Sequence, residues 1–127
     1  MAYIIKQIDK NNLWIIKPLW EKLNNIHFND SHYFKEYYRN FTFEKRCIKF
    51  AGIDDDNIKI DVIFDNTQPI GYCIGTIEAK KGEIDSIFIE ENYRNKNLGT
   101  RLINDCIDWL KKKGCETIIV SIAEGHE

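Results

Sequence analysis

The sequence predicts an α/β fold in which a mixed, mostly antiparallel sheet is flanked by helices. Two observations support this prediction. Apolar runs with the period of a strand occur in both halves of the chain, and an amphipathic helical repeat over 97–113 stands between two of them. Three strand-like runs within 58–89 also follow one another with short turns between them, as in an antiparallel meander. The predicted order is β-α-α-β-β-β-α-β, in one domain that spans residues 1–127.

The first half of the chain is predicted to hold one strand and then helices. The strand covers 3–8, and helical segments begin near residues 13, 33 and 43. Asp9 and Thr42 are suitable N-caps, and 24–31 is predicted to be a polar break after the first helix. Pro18 indicates that this helix either begins nearby or bends there. The tryptophans at helical positions are predicted core residues: Trp14, Trp20 and Trp109.

The second half is predicted to hold strands at 58–64, 70–78, 82–89 and 116–122, and a helix at 97–113. The run 58–64 alternates apolar and polar residues, which is typical of a strand buried on one face. Gly71 and Gly75 are possible positions for β-bulges. Gly114 stands where a glycine commonly ends a helix, so the helix is expected to stop before it.

The composition favours a soluble globular protein and argues against several function classes. Of the 127 residues 43% are hydrophobic and 30% are charged, and the net charge of −2 gives no electrostatic footprint for nucleic acid. No apolar run is long enough to cross a membrane, and the N-terminus shows no secretory signal segment. The four cysteines form no Cys-x-x-Cys pair, so we expect free thiols and no metal site. These observations together predict a cytoplasmic location.

The junction between the strand at 82–89 and the helix at 97–113 is the most informative part of the chain. A polar turn rich in Asn, Arg and Lys joins them. A helix that begins directly after a strand presents unpaired backbone N–H groups and the positive end of its dipole to one small volume. A phosphate group fits such a volume, and Arg94, Lys96 and Arg101 add positive charge around it.

The same turn resembles the signature of a known family. It reads Arg94-Asn95-Lys96-Asn97-Leu98-Gly99. It is similar to the Arg/Gln-x-x-Gly-x-Gly/Ala motif that joins the fourth strand to the third helix in the GNAT superfamily of acyl-CoA N-acyltransferases. Asn97 replaces the first signature glycine, and Asn95 stands where many members carry glycine. Asparagine is, after glycine, the residue that best tolerates a positive φ. The resemblance is close over 70–127 and looser before it.

The resemblance implies a GNAT-like fold and an activity. The chain is expected to be an N-acetyltransferase that moves an acetyl group directly from acetyl-CoA to a primary amine, without a metal. In the family a splayed fourth strand offers backbone groups to the pantetheine arm, which implies this role for Ile87, Phe88 and Ile89. The pyrophosphate is expected to bind the loop and the start of the helix: Arg94, Asn95, Lys96, Asn97, Leu98, Gly99 and Thr100.

Two carboxylates are candidate acceptors for the proton of the amine. Glu83 and Asp85 are two residues apart on a strand, so they share one face of the sheet. Neither is needed to pack a strand that otherwise buries Ile and Phe. Glu83 also matches a position where some family members carry a glutamate base. Spacing alone does not choose between them, and the alternative is that one or both are solvated or paired with Lys80 or Lys81.

The acceptor is expected to be a small-molecule or peptide amine, with no nucleic-acid or membrane partner. Carboxylates near the strand at 82–89 suit a cationic acceptor. In the family, the acceptor pocket is shaped by the region after the first strand. Its candidate contacts, for which an ordinary surface or core role is the alternative, are His27, His32, Tyr33, Tyr37 and Tyr38.

The family pattern continues beyond the fifth strand with a helix that often carries a tyrosine acid, and with two further strands. This chain stops at Glu127. Two expectations follow from this difference. One is an alternative function, a non-catalytic CoA-binding or interaction module with a GNAT-like core. The other is self-association, as a possible homodimer, through an exposed last strand at 116–122.

Overall fold

The computed structural model describes residues 3–31 and 35–120, apart from the side chain of Tyr38. Within these residues the strands are Tyr3–Ile8 (β1), Ile58–Asp65 (β2), Gln68–Glu78 (β3), Lys81–Ile89 (β4) and Thr117–Val120 (β5). The α-helices are Lys17–Asp30 (α1), Lys35–Asn40 (α2), Phe43–Ala51 (α3) and Leu98–Lys112 (α4). Short 3₁₀ segments cover Lys10–Ile16, Asp55–Asn57 and Glu91–Tyr93.

The strands form one sheet in the order β1-β2-β3-β4-β5. The pairs β1–β2, β2–β3 and β3–β4 are antiparallel, whereas β4 and β5 are parallel and are connected through α4. The predicted α/β class and the mixed, mostly antiparallel sheet are therefore confirmed. The predicted order differs in one respect, because three α-helices rather than two stand between β1 and β2 in the described chain.

The helices before β2 agree with the prediction at their two N-caps and at Pro18, and differ from it over 24–31. Asp9 accepts a hydrogen bond from the N–H of Asn11, and Thr42 caps α3 by accepting from the N–H of Lys45 at 3.2 Å. Pro18 lies in the first turn of α1, where its missing N–H costs nothing. The predicted polar break at 24–31 is wrong, since α1 continues to Asp30. The amide of Asn24 donates to the carbonyl of Phe41, so this polar side chain is satisfied on the helix.

Hydrophobic side chains pack on both faces of the sheet. The face under α1 and α3 carries a cluster that includes Leu13, Ile16, Leu19, Trp20, Phe43, Phe50, Ile60, Val62, Tyr72, Ile74 and Phe88. The face under α4 carries a second cluster that includes Ile63, Ile70, Cys73, Ile84, Leu98, Leu102, Cys106 and Leu110. The expectation of a half-buried β2 is therefore wrong. Its second face holds the ion-paired Lys59 and Asp61, with Asp61 buried, and Ile63, which belongs to the cluster under α4.

The close approach of α4 to the sheet depends on a glycine in β3. A Cβ atom at Gly75 would overlap the sulfur of Cys106 and would lie 3.4 Å from the ring of Trp109. Glycine is therefore required here because a helix passes over the strand. At the other end of α4, Gly114 has a φ of +82°, and the helix stops before it as the sequence predicted.

Among the described residues, no helix is long and apolar enough to cross a membrane.

Candidate functional site

The loop between β4 and α4 adopts the backbone that its asparagines indicated. Asn95 and Asn97 both have positive φ angles, of 64° and 63°. The first backbone hydrogen bond of α4 runs from the N–H of Arg101 to the carbonyl of Asn97, at 3.1 Å. The N–H groups of Leu98, Gly99 and Thr100 therefore precede the hydrogen-bond ladder of the helix. Asn97 makes no side-chain capping bond, so these donors remain directed at whatever approaches the N-terminus of the helix.

Gly99 is not required by packing. A Cβ atom there would meet only the Cγ1 of Ile89, at the ordinary contact distance of 3.8 Å, and its φ is not in the left-handed region. A larger residue would thus be compatible with the folded chain. The absence of a side chain leaves the space above the helix N-terminus open, which is what close approach of a ligand to the backbone needs.

The three predicted basic side chains at the loop differ in their contacts. Arg94 donates from Nε to the carbonyl of Ile89 at 2.9 Å, and its guanidinium lies 5.5 Å from the ring centroid of Phe88. Its recorded contacts are thus to the end of β4. Lys96 and Arg101 are exposed to solvent near the start of α4. All three predicted basic residues, Arg94 included, are therefore exposed to solvent.

Tyr93, the last residue of the Glu91–Tyr93 3₁₀ segment, lies directly before the loop, and its position in the sequence alone gave it no role. Its hydroxyl donates to the carboxylate of Asp65 at 2.7 Å, and its ring packs edge-on against Tyr3. This hydrogen bond to Asp65 raises the pKa of Tyr93, because it stabilises the protonated phenol. The start of the loop is therefore fastened to the ends of β1 and β2.

The edge of β4 beside the loop is the predicted pantetheine contact. In the described chain, β5 pairs with β4 over Lys81–Ile84, and this pairing does not reach Ile87, Phe88 or Ile89. On its other edge β4 pairs with β3 throughout, with Ile87 opposite Cys73 and Ile89 opposite Gly71. The described part of β5 thus covers only the first half of the β4 edge.

A β-bulge places Asp85 outside the regular register of β4. Ile74 of β3 pairs with Ser86 and the next residue, Gly75, pairs with Ile84, so Asp85 is the extra residue. Ser86 accepts or donates a 2.7 Å hydrogen bond with Tyr72, whose ring belongs to the cluster under α1 and α3. Asp85 reaches α3 on the same face. The bulge therefore directs two neighbouring polar residues, rather than one, towards α3.

The carboxylate of Asp85 is fully buried and held by two cations from α3. One oxygen forms an ion pair with Arg46, and the other accepts from Nζ of Lys49 at 2.7 Å. The side chain of Asp85 is 0% exposed. The guanidinium of Arg46 lies 5.2 Å from the ring centroid of Phe50, which fixes it in place. A carboxylate with both oxygens occupied is badly placed to take a proton from a substrate, which weighs against Asp85 as the base.

Glu83 lies in the wall of an open cleft on the same face of the sheet. The cleft has a volume of about 730 Å³. Its lining comes from the end of α3, the turn after it, the β3–β4 hairpin and β5, and includes Lys49, Asp54, Thr76, Glu78, Glu83 and Ile119. Thr76 is directly opposite Glu83 in the register, and Ile119 is its partner in β5. Glu83 is thus the predicted carboxylate that faces a space large enough for a small ligand.

A second groove, of about 600 Å³, lies between α1 and the end of β4. Its lining includes Lys22, Asn25, Phe88, Glu90 and Arg94, and Lys22 and Glu90 form an ion pair across it at 2.5 Å. It is bordered by the first residue of the loop. The two cavities therefore lie at opposite ends of the β4 face that the predicted catalytic residues share.

The predicted acceptor contacts are only partly described. Tyr37 is exposed on α2 and packs edge-on against Phe41, with ring centroids 5.4 Å apart. His27 lies in the last turn of α1. His32, Tyr33 and the side chain of Tyr38 lie outside the described residues. Neither cavity lining includes His27 or Tyr37, so the acceptor role stays a prediction.

The cysteines and the acidic residues are the candidate ligands for a metal ion. Cys47, Cys73, Cys106 and Cys115 are free thiols, as expected. Over 3–31 and 35–120, no group of three or more His, Cys, Asp or Glu side chains is arranged to hold a metal ion.

Comparison with known proteins gives one family and several similar folds. The model of the family described as Acetyltransferase (GNAT) family matches residues 14–127. An uncharacterised N-acetyltransferase of Methanocaldococcus jannaschii is 36% identical over 56 residues, which are 39% of this chain and 25% of that protein. The matched part thus spans about a quarter of the length of this curated relative.

Solved structures share the fold over most of the chain. The PaiA N-acetyltransferase of Thermoplasma acidophilum, in complex with coenzyme A, has a TM-score of 0.68 at 20% identity, over 91% of this chain and 76% of that chain. The aminoglycoside N-acetyltransferase AAC(6')-Iy, in complex with CoA, has a TM-score of 0.69 at 14% identity, over 96% of this chain and 78% of that chain. At these identities the likeness establishes the fold.

Proposed function

The chain belongs to the GNAT family of acetyltransferases, and we propose that it transfers an acetyl group from acetyl-CoA directly to a primary amine. The proposal is supported by the family and by two structural neighbours that were crystallised with coenzyme A. Acetyl-CoA is the cosubstrate in this proposal, and no metal takes part. The acceptor is a small-molecule or peptide amine, and one structural neighbour is an aminoglycoside N-acetyltransferase, which is compatible with that class.

The observation that carries the proposal is the geometry of the β4–α4 junction. Two asparagines with left-handed backbone, Asn95 and Asn97, flank Lys96 and lead the chain into α4, where three backbone N–H groups precede the first hydrogen bond of the helix. The helix dipole adds a partial positive charge at the same point. We assign the pyrophosphate to this volume, with Lys96 and Arg101 as the exposed cations beside it.

The acetyl group is assigned to the β4 edge next to the bulge. Backbone groups of Ile87, Phe88 and Ile89 pair with the pantetheine arm, and an N–H of Ile87 or Phe88 donates to the thioester carbonyl. A fixed backbone donor at this point stabilises the negative charge that develops on the carbonyl oxygen during attack. Arg94 positions the end of this edge by its bond to the carbonyl of Ile89.

Glu83 is proposed as the general base, directly or through a water molecule. Its place in the wall of the 730 Å³ cleft lets it meet an amine that enters from the α3 side. Asp85 has a different part in this proposal. Its ion pairs with Arg46 and Lys49 hold α3 against the bulge and so fix one wall of the acceptor cleft.

The proposal is tested by CoA-dependent thermal melting together with a thiol-release assay on a panel of amines. We expect acetyl-CoA to raise the melting temperature, because it binds the folded chain only, and at least one amine to release CoA thiol. A melting shift without thiol release on any amine would support the alternative, a non-catalytic CoA-binding module. No shift and no release would contradict both.

Self-association and location remain predictions of the sequence. Ile119 and Val120 of β5 are 42% and 48% exposed, so the described part of the last strand offers apolar surface to a second copy. Sedimentation over a range of concentrations tests this, and a monomer at every concentration would contradict it. A cytoplasmic location is tested by fractionation of cells that express the protein.

A further inference from the structure

We propose that Lys49 is itself an acetyl acceptor, modified by acetyl-CoA bound to the same chain. This inference rests on the proposed function, since it needs an acetyl donor on the β4 edge. It goes beyond that function because it makes the enzyme its own substrate at one defined side chain. Three features of Lys49 support this role: its position, the ease with which its side chain can leave Asp85, and the chemistry of its amine.

Lys49 reaches the reacting region from α3. Its Nζ lies 2.7 Å from Oδ2 of Asp85, the bulged residue of β4. Ile87 follows two residues later, which is about 7 Å along a strand. The side chain of Lys49 also lines the cleft that contains Glu83. A primary amine of the protein therefore lies in the same cleft as the proposed base and contacts the residue two positions before the proposed thioester site.

Lys49 can leave Asp85 without exposing a buried, unpaired charge. Removing the partner of a buried carboxylate is normally costly. Here Arg46 forms an ion pair with the other oxygen of Asp85, so the carboxylate keeps a cation when Lys49 moves. The side chain of Lys49 is 48% exposed, whereas that of Arg46 is 17% exposed. The mobile partner of the pair is therefore the lysine, which has a flexible four-carbon stem.

The environment also favours the neutral amine that the reaction needs. Burial of Lys49, together with the neighbouring Arg46 guanidinium, lowers the pKa of Lys49. The Lys49 ammonium and the Arg46 guanidinium share the carboxylate of Asp85. The repulsion between these two positive charges opposes protonation of Lys49. The other cation, Arg46, stays charged at every relevant pH.

The transfer balances with the groups already named. The neutral Nζ of Lys49 attacks the thioester carbon, a C–N bond forms, the C–S bond breaks, and the sulfur leaves as the CoA thiol after protonation. Glu83 accepts the proton that the amine loses and returns it to solvent or to the departing sulfur. The product is an acetamide on Lys49, and no oxidant or further reactant is required.

Acetylation would change the charge of the acceptor cleft. When it is protonated, Lys49 is a positive group among the cleft carboxylates, and the negative charges of Glu83 and Glu78 attract it. Conversion to an acetamide removes that charge and leaves three carboxylates and one lysine in the wall: Asp54, Glu78, Glu83 and Lys81. A cationic acceptor would then be attracted more strongly. Self-acetylation would thus convert the enzyme to a form that prefers amines with more than one positive charge.

The experiment is intact-mass and peptide-mapping mass spectrometry of the full chain after incubation with acetyl-CoA alone. We expect one acetyl group per chain, mapped to Lys49, at a rate per chain that does not depend on protein concentration. Lys49→Arg should reduce this labelling to background. The matched control is Lys45→Arg on the same helix, since Lys45 donates to the carbonyl of Asn40 and does not face the cleft. Labelling of Lys49 should persist in that variant.

Three results would overturn the inference alone, and a fourth would overturn it together with the proposed function. The first is thiol release with external amines but no acetyl group on Lys49, which would leave the proposed function standing. The second is equal labelling of Lys45 and Lys49, which indicates uncatalysed surface acetylation. The third is a labelling rate per chain that rises with protein concentration, which indicates transfer between molecules. An absence of both Lys49 labelling and thiol release would overturn this inference and the proposed function together. Peptide mapping of the chain without any substitution distinguishes these results even if the Lys49→Arg variant does not fold.

Discussion

The hydroxyl of Tyr93 donates a 2.7 Å hydrogen bond to the carboxylate of Asp65, which fastens the start of the β4–α4 loop to the end of β2. The two residues are 28 positions apart in the sequence. The bond lies one residue before Arg94, where the loop that we assign to the pyrophosphate begins. The loop is therefore held at its start by a side chain and at its end by α4.

Tyr93→Phe should weaken binding of acetyl-CoA without changing the chemical step. Without this hydrogen bond the start of the loop is no longer held to Asp65, so we expect the KM for acetyl-CoA to rise severalfold. We expect kcat to change little, because Tyr93 touches no reacting atom in the proposal. Steady-state kinetics measure both constants. Asn12→Ala, which removes an exposed 3.0 Å hydrogen bond to Asp9, is the control, and a loss of kcat with an unchanged KM would refute this role for Tyr93.

Gly99→Val should reduce affinity for CoA while the protein stays folded. The folded chain has room for a Cβ atom at this position, but a β-branched side chain would fill the space into which the N–H groups of α4 point. We expect affinity to fall by about tenfold or more, a change of roughly 1.4 kcal/mol. Calorimetric titration with CoA gives the affinity, and circular dichroism the fold.

Two alanine variants provide the matched comparison for Gly99. Gly99→Ala should give a smaller loss than Gly99→Val, and Gly52→Ala, where a Cβ atom also fits, should give none. If Gly99→Val binds CoA as tightly as the natural chain, the loop is not the pyrophosphate site.

Glu83→Gln should lower kcat and leave CoA affinity unchanged. A positioned general base contributes roughly 10²–10⁴ in rate, and glutamine keeps the shape of the side chain without accepting the proton. The measurement is kcat against pH for the best amine of the panel, with CoA titration in parallel. Glu116→Gln, an exposed residue 3.8 Å from Lys80, is the control. Full activity of Glu83→Gln at every pH would exclude Glu83 as the base.

Asp85→Asn should destabilise the fold more than it impairs proton transfer. The substitution leaves the Arg46 guanidinium and the Lys49 ammonium without their buried carboxylate, and the loss of one partner of a buried ion pair costs about 3 kcal/mol. Urea unfolding measures the change. Asp55→Asn is the matched control, because Asp55 pairs with Lys10 at the surface with its side chain 86% exposed, and an exposed pair is worth less than about 1 kcal/mol.

A double variant separates the ion pair from other effects of Asp85. Arg46→Gln combined with Asp85→Asn should cost less than the sum of the two single variants, because the second change removes the charge that the first leaves unpaired. Equal losses for Asp85→Asn and Asp55→Asn would show that the pair with Arg46 contributes little.

The secondary structure around the candidate site was predicted correctly, because local sequence determines it. Strand β4, the polar turn and α4 are consecutive, so the period of apolar residues and the end signals of the helix were enough to place them. The positive φ angles of Asn95 and Asn97 also followed from residue type, since asparagine tolerates this region better than other residues with a side chain. Glycine at these positions was therefore not essential for the backbone.

The parts that depend on distant partners were not predictable. Asp85 and Glu83 looked equivalent because they are two residues apart, but the bulge and the cations of α3, 36 positions away for Lys49, distinguish them. Trp14 was predicted to be buried from its helical spacing and is 69% exposed. It lies in a 3₁₀ segment rather than an α-helix, so the 3.6-residue period did not apply to it.

Gly75 gives the site a sensitivity to changes far from any ligand. Because a methyl group at this point would overlap the sulfur of Cys106, either that side chain or α4 would have to move. In the binding mode that we propose, α4 holds the pyrophosphate and β4 holds the thioester, so packing in the middle of the sheet helps to set the distance between the two sites. We therefore expect a mutation at Gly75 to alter cosubstrate affinity although Gly75 is not among the residues assigned to binding.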